Sequence, residues 1–483
     1  MQNQWPPPSA LPYEADEPVT DAGERWGWIE LFIGIQLLWG VLLFLPGMQP
    51  YRAYIRALPY LASLGALAVF LPRIAGEPLA ASGRWLIAVF ALLFLNLLHS
   101  DTHLTAGVAQ IVFQLAIAAP MFWGRRAVQS EGRLLRMIWV IFWASFVSAA
   151  IGVLQVYFPD RFLPPEFSAL ARSLNPDYVD ALTYVGANGE LIVRPPGLSD
   201  LPGGAAVSGL MTVVLGVALA VHGHPTLMIR AFSFGAAAIG MTALYLTQVR
   251  SLTVMAILSI VTLAAVRLRQ GRVLQGSWIV VGAGVLVVGS FAWAVALGGE
   301  SLSDRFWGLI ETGVFTSFQE NRGLFLEYTL KELLFQFPLG AGLGRWGMMH
   351  VYFGDPAMWQ SPPIHVEIQM TGWLLDGGVP MWLFYGGALM SAVRFGYALA
   401  VRGAAESLKY FATITLAIQL TIIGLGFTGP TFNTQLGILF WTITAALLGA
   451  TEFWPGREDA EVVSQEDEAS LQDDDAIELE VGV

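Results

Sequence analysis

The sequence predicts an all-α, polytopic integral membrane protein with about 12 transmembrane helices and two long extracytoplasmic segments, the second containing an amphipathic helix. Three observations predict this fold class. The 483 residues are 55% hydrophobic and only 13% charged, whereas soluble domains carry roughly 25% charged residues. The mean hydropathy is +0.59. Apolar runs of about 17–25 residues, the length that crosses a bilayer as a helix, recur along the chain.

The predicted spans form one transmembrane domain, residues 27–453, which also contains the two extracytoplasmic segments. The third span is short, and the tenth could begin earlier than its predicted start. The spans lie near residues 27–46, 55–72, 84–99, 104–123, 135–157, 204–221, 227–248, 251–268, 276–298, 378–400, 408–428 and 434–453.

Two polar segments flank this domain. Residues 1–26 lack the basic start and apolar core of a cleavable signal peptide, so we expect the first span to be an uncleaved anchor. The net charge of −12 lies almost wholly in residues 454–483, where eleven acidic residues accompany one basic residue, Arg457. We expect both segments to be cytoplasmic and disordered. The acidic tail could instead dock a cytoplasmic partner.

The Lys and Arg residues of the short loops predict the orientation, because such residues collect on the cytoplasmic side. One set of loops holds Arg73, Arg84, Arg125, Arg126, Arg133, Arg136, Arg230, Arg267, Arg269, Arg272, Arg394, Arg402 and Lys409. The short loops of the other set hold only Arg52, Arg56 and Arg250. Both termini are therefore expected in the cytoplasm, and residues 158–203 and 299–377 outside it.

The two extracytoplasmic segments contain local structure of their own. In the first, YVGANGELIV predicts a hairpin around Asn188-Gly189. In the second, residues 322–337 predict a helix that lies in the membrane interface. Glu327 and Lys331 are spaced to pair on its polar face. Its apolar face would comprise Leu326, Leu330, Leu333, Leu334 and Phe337.

Ionisable residues are scarce in the spans, where Glu30 and the peripheral His99 are the main exceptions, and they collect in the outer segments. The outer candidates are Arg194, Arg250, Arg322, Arg345, His365 and Glu367. Arginines on the outer face suggest a bound anion, since guanidinium groups suit phosphate oxygens. Simpler interpretations stay open: Arg250 could reach lipid headgroups, Arg194 could pair with a loop carboxylate, and His365 could be a buried hydrogen-bonding residue.

The glycine-rich stretch FPLGAGLGRW follows a helix rather than a strand, which excludes a dinucleotide-binding fold. Its backbone amides, around Gly342 and Gly344, could cradle a phosphate, or the glycines could form a simple turn.

The absence of cysteine excludes disulfides and thiolate nucleophiles. The few histidines make a zinc site improbable, so we expect no metal site.

Four motifs follow one another along the chain: RPPGLSDLPG at 194–203, TQVRSLTVMAILSI at 247–260, NRGLFLEYTLKELLFQFPLGAGLGRW at 321–346 and PPIHVEIQMTGWLLDGGVP at 362–380. In this order they resemble motifs of the O-antigen ligase/polymerase superfamily, whose multispanning enzymes transfer glycans from undecaprenyl-diphosphate carriers. The resemblance is strongest over residues 190–400. Val366 stands where the family often has Asn, and Asp376 where it usually has Glu.

The resemblance implies a metal-independent, inverting glycosyltransferase of the bacterial inner membrane, without a cofactor. Its partners would be a polyprenyl-diphosphate-linked glycan donor, a glycan, lipid or protein acceptor, membrane lipids and other polysaccharide-assembly proteins, but no nucleic acid. The implied catalytic residues are His365, Arg250 and Glu367. The implied diphosphate ligands are Arg194, Arg250, Arg322, Gly342 and Gly344. The alternatives are a polysaccharide or lipid-linked glycan exporter, and a scaffold that works through the acidic tail.

Overall fold

The computed structural model describes residues 27–45, 47–74, 76–163, 183–186, 188–199, 203–221, 226–354, 364–403 and 405–452. The predicted N-terminal segment 1–26 and the acidic tail 454–483 lie outside the described residues. Apart from one hairpin, the regular structure in the described part is helical, which confirms an all-α protein.

A helix covers each of the twelve predicted spans. The helices are Trp28–Leu38 (α1), Arg52–Ile74 (α2), Ala81–Asn96 (α3), Leu104–Ala118 (α4), Pro120–Ala127 (α5), Glu131–Tyr157 (α6), Pro159–Phe162 (α7), Ala205–Val221 (α8), Leu227–Thr247 (α9), Arg250–Arg269 (α10), Val273–Thr312 (α11), Gly347–Phe353 (α12), Gln369–Arg402 (α13), Glu406–Leu425 (α14) and Gln435–Glu452 (α15). A 3₁₀ turn, Trp39–Phe44, extends α1.

Eight of the described helices are long and apolar enough to cross a membrane, which supports a multi-pass membrane protein. Four apolar helices are shorter, and the count of twelve spans therefore stays a prediction. The eight are Arg52–Ile74, Leu104–Ala127, Glu131–Tyr157, Leu227–Thr247, Arg250–Arg269, Val273–Thr312, Gln369–Arg402 and Glu406–Leu425. The four shorter ones are Trp28–Phe44, Ala81–Asn96, Ala205–Val221 and Gln435–Thr451.

Two neighbouring pairs of helices, α8 with α9 and α10 with α14, run antiparallel and touch through small residues. Along α8 and α9, a Cβ atom added at Gly209 would lie 2.6 Å from the Gly240 carbonyl oxygen, so the two backbones are in contact there. Between α10 and α14, Ser259 hydrogen-bonds Thr421. At one end of these helices, the amide that begins α13 bonds the carbonyl that follows α14, 2.9 Å away. The start of α8, the α9–α10 turn, the end of α14 and the start of α13 therefore share one end of the bundle.

The predicted hairpin is confirmed and lies at this end, which we call the hairpin end. Strands Thr183–Val185 (β1) and Leu191–Val193 (β2) pair antiparallel, with Tyr184 opposite Ile192. Gly189 in the turn has a φ of 81°. The Ser301 hydroxyl donates to the Val185 carbonyl at 2.5 Å, which fastens the hairpin to α11. Ser301 follows a break in α11 at Gly299, so the hairpin packs on the part of α11 beyond that break.

The predicted interfacial helix is longer than expected and begins at residue 314. It consists of consecutive stretches Val314–Phe318, Gln319–Gly323, Leu324–Tyr328, Thr329–Leu333 and Leu334–Gln336, and the second and fourth have π-helical hydrogen bonding. We call residues 314–336 the segmented helix. The expected pair of Glu327 with Lys331 is confirmed.

The apolar residues predicted for one face of the segmented helix differ in their burial within the protein. Leu333 is buried, whereas Leu330 is 43% exposed. Thr329 is also buried, and its hydroxyl lies 2.6 Å from that of Thr371 at the start of α13. That the apolar face lies in the membrane interface stays a prediction.

Helices extend into the second predicted outer segment, 299–377, from both sides. Helix α11 continues past its break to Thr312, and α13 begins at Gln369. The helix of the predicted tenth span thus begins before residue 378, as the sequence allowed. It contains a break of its own at Gly377 and Gly378, the latter with φ of 66°.

We predict that a cysteine at Asn188 reacts with a membrane-impermeant maleimide in intact cells, whereas a cysteine at Gly132 reacts only after the membrane is opened. Both residues are exposed, and the native chain has no cysteine to interfere. The physical basis is the Lys and Arg distribution, which puts the hairpin outside. Labelling of position 132 but not position 188 in intact cells would contradict the predicted orientation.

Candidate functional site

Arg250 is placed at the hairpin end by an abrupt turn between α9 and α10. Gln248 adopts a left-handed conformation with φ of 56°, so the chain reverses direction through Gln248 and Val249 alone. Arg250 is then the first residue of α10 and is half-buried. The unpaired amides of a helix start carry partial positive charge, so this position favours an anion near the guanidinium group.

Arg194 follows β2 and is linked to Arg250 through the backbone. Its carbonyl accepts a hydrogen bond from the Gly203 amide at 3.1 Å. Gly203 in turn lies against Val249, since an added Cβ atom would be 3.5 Å from Val249 Cγ2. Burial lowers the pKa of Arg194, and the neighbouring Tyr184 opposes that shift. The structure therefore brings together two arginines, Arg194 and Arg250, that lie far apart in the sequence.

Arg305 joins these two arginines, although the sequence analysis did not single it out. It lies one helical turn beyond Ser301, on the part of α11 that carries the hairpin. The positive charges of Arg194 and Arg250 both act on it. The one feature of the sequence that pointed to Arg305 is that it is a basic residue inside a predicted outer segment. Its proximity to Arg194 and Arg250 depends on the break at Gly299.

These three residues form what we call the arginine cluster: Arg194, Arg250 and Arg305. In the described part of the chain, none of the three has an ion-pair partner. The Nε atoms of Arg194 and Arg305 are buried without a hydrogen-bond partner. Guanidinium groups that repel one another are costly to hold together, so the arrangement suits an anionic ligand with several oxygen atoms.

His365, Glu367 and Arg322 form a second group, which we call the histidine triad. Glu367 Oε1 lies 2.8 Å from His365 Nε2, and Oε2 pairs with Arg322 Nη1. The ring of Phe325 lies 6.0 Å from the imidazole, centroid to centroid. The His365 side chain is 71% exposed. Burial lowers the pKa of Arg322. A carboxylate thus bridges an accessible imidazole and a guanidinium group.

The extended segment that carries His365 and Glu367 is held at both ends. The Ile364 amide donates to the Arg345 carbonyl at 2.9 Å, and the Gln369 amide donates to the Gly426 carbonyl at 2.9 Å. The imidazole is therefore exposed on a fixed backbone rather than on a free loop. The two prolines that precede Ile364 lie outside the described residues.

The arginine cluster and the histidine triad lie at the same end of the bundle. Arg250 begins α10, which packs antiparallel on α14, and the end of α14 binds the start of α13 next to Glu367. Among the described residues, no hydrogen bond or ion pair joins the two groups. The sequence grouped Arg322 with Arg194 and Arg250, whereas the structure pairs it with Glu367. Arg322 uses Nη1 to bind Glu367, and the other N–H groups of its guanidinium remain available to a ligand. A contact between Arg322 and a diphosphate therefore stays a prediction.

Gly342 and Gly344 lie in a buried loop whose path only glycine permits. Their φ angles are 91° and 74°, in the left-handed region that favours glycine. A Cβ atom at Gly342 would lie 2.9 Å from the Asp101 carbonyl carbon, and one at Gly344 would lie 2.4 Å from Ala106 Cβ. The loop therefore packs directly against the start of α4 and the turn before it.

Two backbone amides of this loop, those of Ala341 and Leu343, have partners within the protein. The Ala341 amide donates to the Leu375 carbonyl at 2.8 Å, and the Leu343 amide donates to Thr102 Oγ1 at 2.9 Å. Close packing thus explains the glycines without a bound phosphate. A phosphate cradle formed by the amides of Gly342 and Gly344 stays a prediction.

Asp376 and Arg345 hold in place the loop that contains Gly342 and Gly344, which we call the glycine loop. Asp376 is buried, and its carboxylate accepts hydrogen bonds from Trp346 Nε1 at 2.8 Å and Gln110 Nε2 at 2.9 Å. Arg345 is also buried, with Nη1 3.5 Å from Asp101 Oδ2. Burial lowers the pKa of Arg345, and Asp101 opposes this shift. Both side chains are thus occupied with contacts inside the protein.

The described residues contain no group of three or more His, Cys, Asp or Glu side chains that could hold a metal ion. No protein-family model matches the sequence, and no curated protein matches it either.

We predict that Gly342→Ala lowers the stability of the folded protein by about 2 kcal/mol or more, because it adds left-handed strain and a clash with Asp101. The measurement is thermal unfolding in detergent. Gly386→Ala is the matched control, since Gly386 lies inside α13 with open space around its Cα. That control should be neutral or slightly stabilising. Equal melting temperatures for both variants would contradict the packing explanation.

Proposed function

We propose that the protein is a membrane glycosyltransferase that moves a glycan from a polyprenyl-diphosphate carrier to an acceptor hydroxyl, in O-antigen or exopolysaccharide polymerisation or ligation. One observation carries the proposal: a single end of the bundle holds both an arginine cluster without ion-pair partners among the described residues and an exposed histidine bonded to a carboxylate. The motifs that resemble the O-antigen ligase/polymerase superfamily supply Arg194, Arg250, Arg322 and His365 to these two groups.

In this proposal the arginine cluster binds the diphosphate of the donor. Guanidinium forks match phosphate oxygens in shape and charge. The diphosphate leaves with the electron pair of the bond to the sugar, so its negative charge grows in the transition state. Fixed cations that face a developing charge stabilise the transition state more than the ground state. The lipid tail of the donor would lie in the membrane beside the spans.

The histidine triad activates the acceptor. An ionised carboxylate only accepts hydrogen bonds, so Glu367 holds His365 with a hydrogen on Nε2 and leaves a lone pair on Nδ1. Nδ1 takes the proton of the acceptor hydroxyl while that oxygen attacks the anomeric carbon. The bond from this carbon to the diphosphate breaks at the same time, which inverts the configuration. His365 afterwards releases its proton to water.

The hairpin end would face the outside of the bacterial inner membrane, with both termini in the cytoplasm. The opposite end carries the basic loops that the positive-inside rule places in the cytoplasm, and ion pairs such as Arg126–Glu77 and Arg272–Glu406 lie there. Twelve crossings, eight by the long helices and four by the shorter apolar ones, would return the chain to the side where it began.

We predict that the protein reconstituted in lipid nanodiscs transfers a glycan from a polyprenyl-diphosphate oligosaccharide to an acceptor glycan or lipid. We expect the transfer to continue when a chelator removes divalent metal ions. The reason is that arginines can supply the positive charge needed by the leaving group. The readout is the product and its anomeric configuration. Activity lost in the chelator and restored by magnesium would contradict the role given to the arginines. Movement of the lipid-linked glycan across liposomes without transfer would favour the exporter.

We predict that Arg250→Lys and His365→Ala each lower turnover by on the order of a hundred- to a thousandfold. Lysine keeps the charge of Arg250 but loses the bidentate fork, and such a contact in the transition state contributes about 2.7–4 kcal/mol. His365→Ala removes the proton acceptor and should leave donor affinity nearly unchanged. Turnover and donor affinity are measured separately for each variant.

Arg230→Lys is the matched control, because Arg230 lies in the first turn of α9 at the opposite end of the bundle and is exposed. It should behave like the wild type, since lysine reaches lipid headgroups as well as arginine does. If Arg250→Lys were as silent as this control and His365→Ala were active, the hairpin-end groups would be structural.

A further inference from the structure

Another buried arginine lies at the end of the bundle opposite the hairpin end. Arg267 is in the last turn of α10 and is only 5% exposed. Its Nη1 donates to Gln270 Oε1 at 2.9 Å, and its guanidinium carbon lies 5.6 Å from the centre of the Tyr410 ring. Gln270 is itself fixed, since its Nε2 donates to the Ala400 carbonyl at 2.6 Å. The protein therefore holds the Arg267 side chain in one position.

Arg267 has no ion-pair partner among the residues that the structure describes. Glu406, whose negative charge acts on Arg267, is paired with Arg272 and Lys409. A buried charge without a counter-ion is costly, and the nearby positive charge of Arg272 adds to that cost. The surroundings of Arg267 therefore favour a bound anion.

Arg267 lines a recess between the ends of four helices, with about 230 Å³ of empty space. Tyr410 and Thr413, near the start of α14, bring two side chains with hydroxyl groups to its lining. The volume lies below the ~300–1,000 Å³ of a typical small-molecule pocket, so the recess suits one anionic group with a short apolar portion. Its other lining residues are apolar: Ala218 and Val221 of α8, Leu263 of α10, Ile279 of α11 and Ile414 of α14.

The recess lies at the level where the helices leave the hydrocarbon region. Ile279, in its lining, follows Trp278, whose side chain is 64% exposed, and tryptophan is enriched at the boundary between membrane and water. Arg269, two residues beyond Arg267, is also exposed. Phospholipid headgroups lie at this level, and the mainly apolar lining suits a phosphate that arrives attached to acyl chains better than a soluble anion.

We propose that this recess binds the phosphate of an anionic phospholipid, such as phosphatidylglycerol, in the cytoplasmic leaflet. The guanidinium group of Arg267 binds phosphate oxygens, and the apolar lining contacts the carbon atoms next to the phosphate. Basic pockets between transmembrane helices on the cytoplasmic side bind anionic headgroups in this way. A zwitterionic headgroup brings a second cation towards Arg267 and is disfavoured. Only the choice of leaflet rests on the proposed function, through the proposed orientation of the bundle.

The test uses the purified full-length protein, freed of lipid, in a non-ionic detergent and without a glycan donor. Native mass spectrometry measures the binding of phosphatidylglycerol and phosphatidylcholine, and thermal unfolding is followed with each lipid. The wild type should bind phosphatidylglycerol about tenfold or more tightly, as expected for one charged contact. It should also melt at a higher temperature in phosphatidylglycerol, since a ligand of the folded state stabilises that state.

Arg267→Gln should weaken the binding of phosphatidylglycerol by about tenfold or more and abolish the rise in melting temperature. Without lipid it should melt no lower than the wild type, because it no longer buries a charge. Ala218→Leu, which fills the recess and keeps Arg267, should also lose the response to phosphatidylglycerol. Arg269→Gln is the matched control, because it removes the same charge from an exposed position on the same helix, and it should keep the response.

Equal binding of both lipids by the wild type would overturn the proposal, and so would a phosphatidylglycerol response that survives in both Arg267→Gln and Ala218→Leu. The same rise in melting temperature with inorganic phosphate alone would identify a soluble anion and overturn the lipid as ligand. If Arg267→Gln melted lower than the wild type by the same amount with and without phosphatidylglycerol, Arg267 would be structural and the proposal wrong. Because no donor is present, these results are independent of glycan transfer, which is measured separately.

Discussion

In a bilayer, every backbone amide and carbonyl must find its hydrogen-bond partner inside the protein, and the rest of this structure depends on that constraint. It leaves helices as the only way for a chain of this composition to cross the hydrocarbon region. Irregular backbone is then confined to the ends of the helices or to places where protein covers it. The break at Gly377 and Gly378 follows this rule, since the Val379 amide donates to the Pro338 carbonyl at 2.9 Å. The glycine loop thus completes the hydrogen bonding of a broken helix.

The same constraint explains where the candidate groups lie. Placing a charged side chain inside the membrane costs free energy. Arginines that do not pair therefore collect where the helices end. The abrupt α9–α10 turn and the break in α11 bring two of them to the same end as the hairpin. Buried contacts such as Asp376 with Trp346 hold the loop that contains Gly342 and Gly344. A rigid bundle therefore supports side chains that are not rigidly paired themselves.

Patterns of local origin could be predicted from the sequence. Apolar runs identified all twelve helical stretches, an Asn-Gly pair identified the hairpin, and the spacing of Glu327 and Lys331 identified their ion pair. Hydrophobic length and turn chemistry act over a few residues and leave a periodic trace. The π-helical turns leave no such trace, so the sequence could predict the segmented helix only as a regular helix.

The composition of the candidate site could be predicted only in part, because it depends on contacts between distant segments. Nothing in the local sequence of Arg305 distinguishes it from other outer-segment residues, and its place beside Arg194 follows from the break at Gly299. Likewise, Arg322 lies beside Glu367 rather than in the group of Arg250 because the segmented helix packs on α13. Gly342 and Gly344 had a motif-like spacing, but the structure gives them a packing role.

The unpaired arginine cluster has a consequence for the behaviour of the molecule without a ligand. Three cations from the hairpin segment, α10 and α11 repel one another, so an anion that binds all three would act as a brace between these elements. By mass action, a ligand at a hundred times its dissociation constant adds about 2.7 kcal/mol to the stability of the state that binds it. The hairpin end would then be held most firmly while its ligand is present, and would loosen each time the site empties.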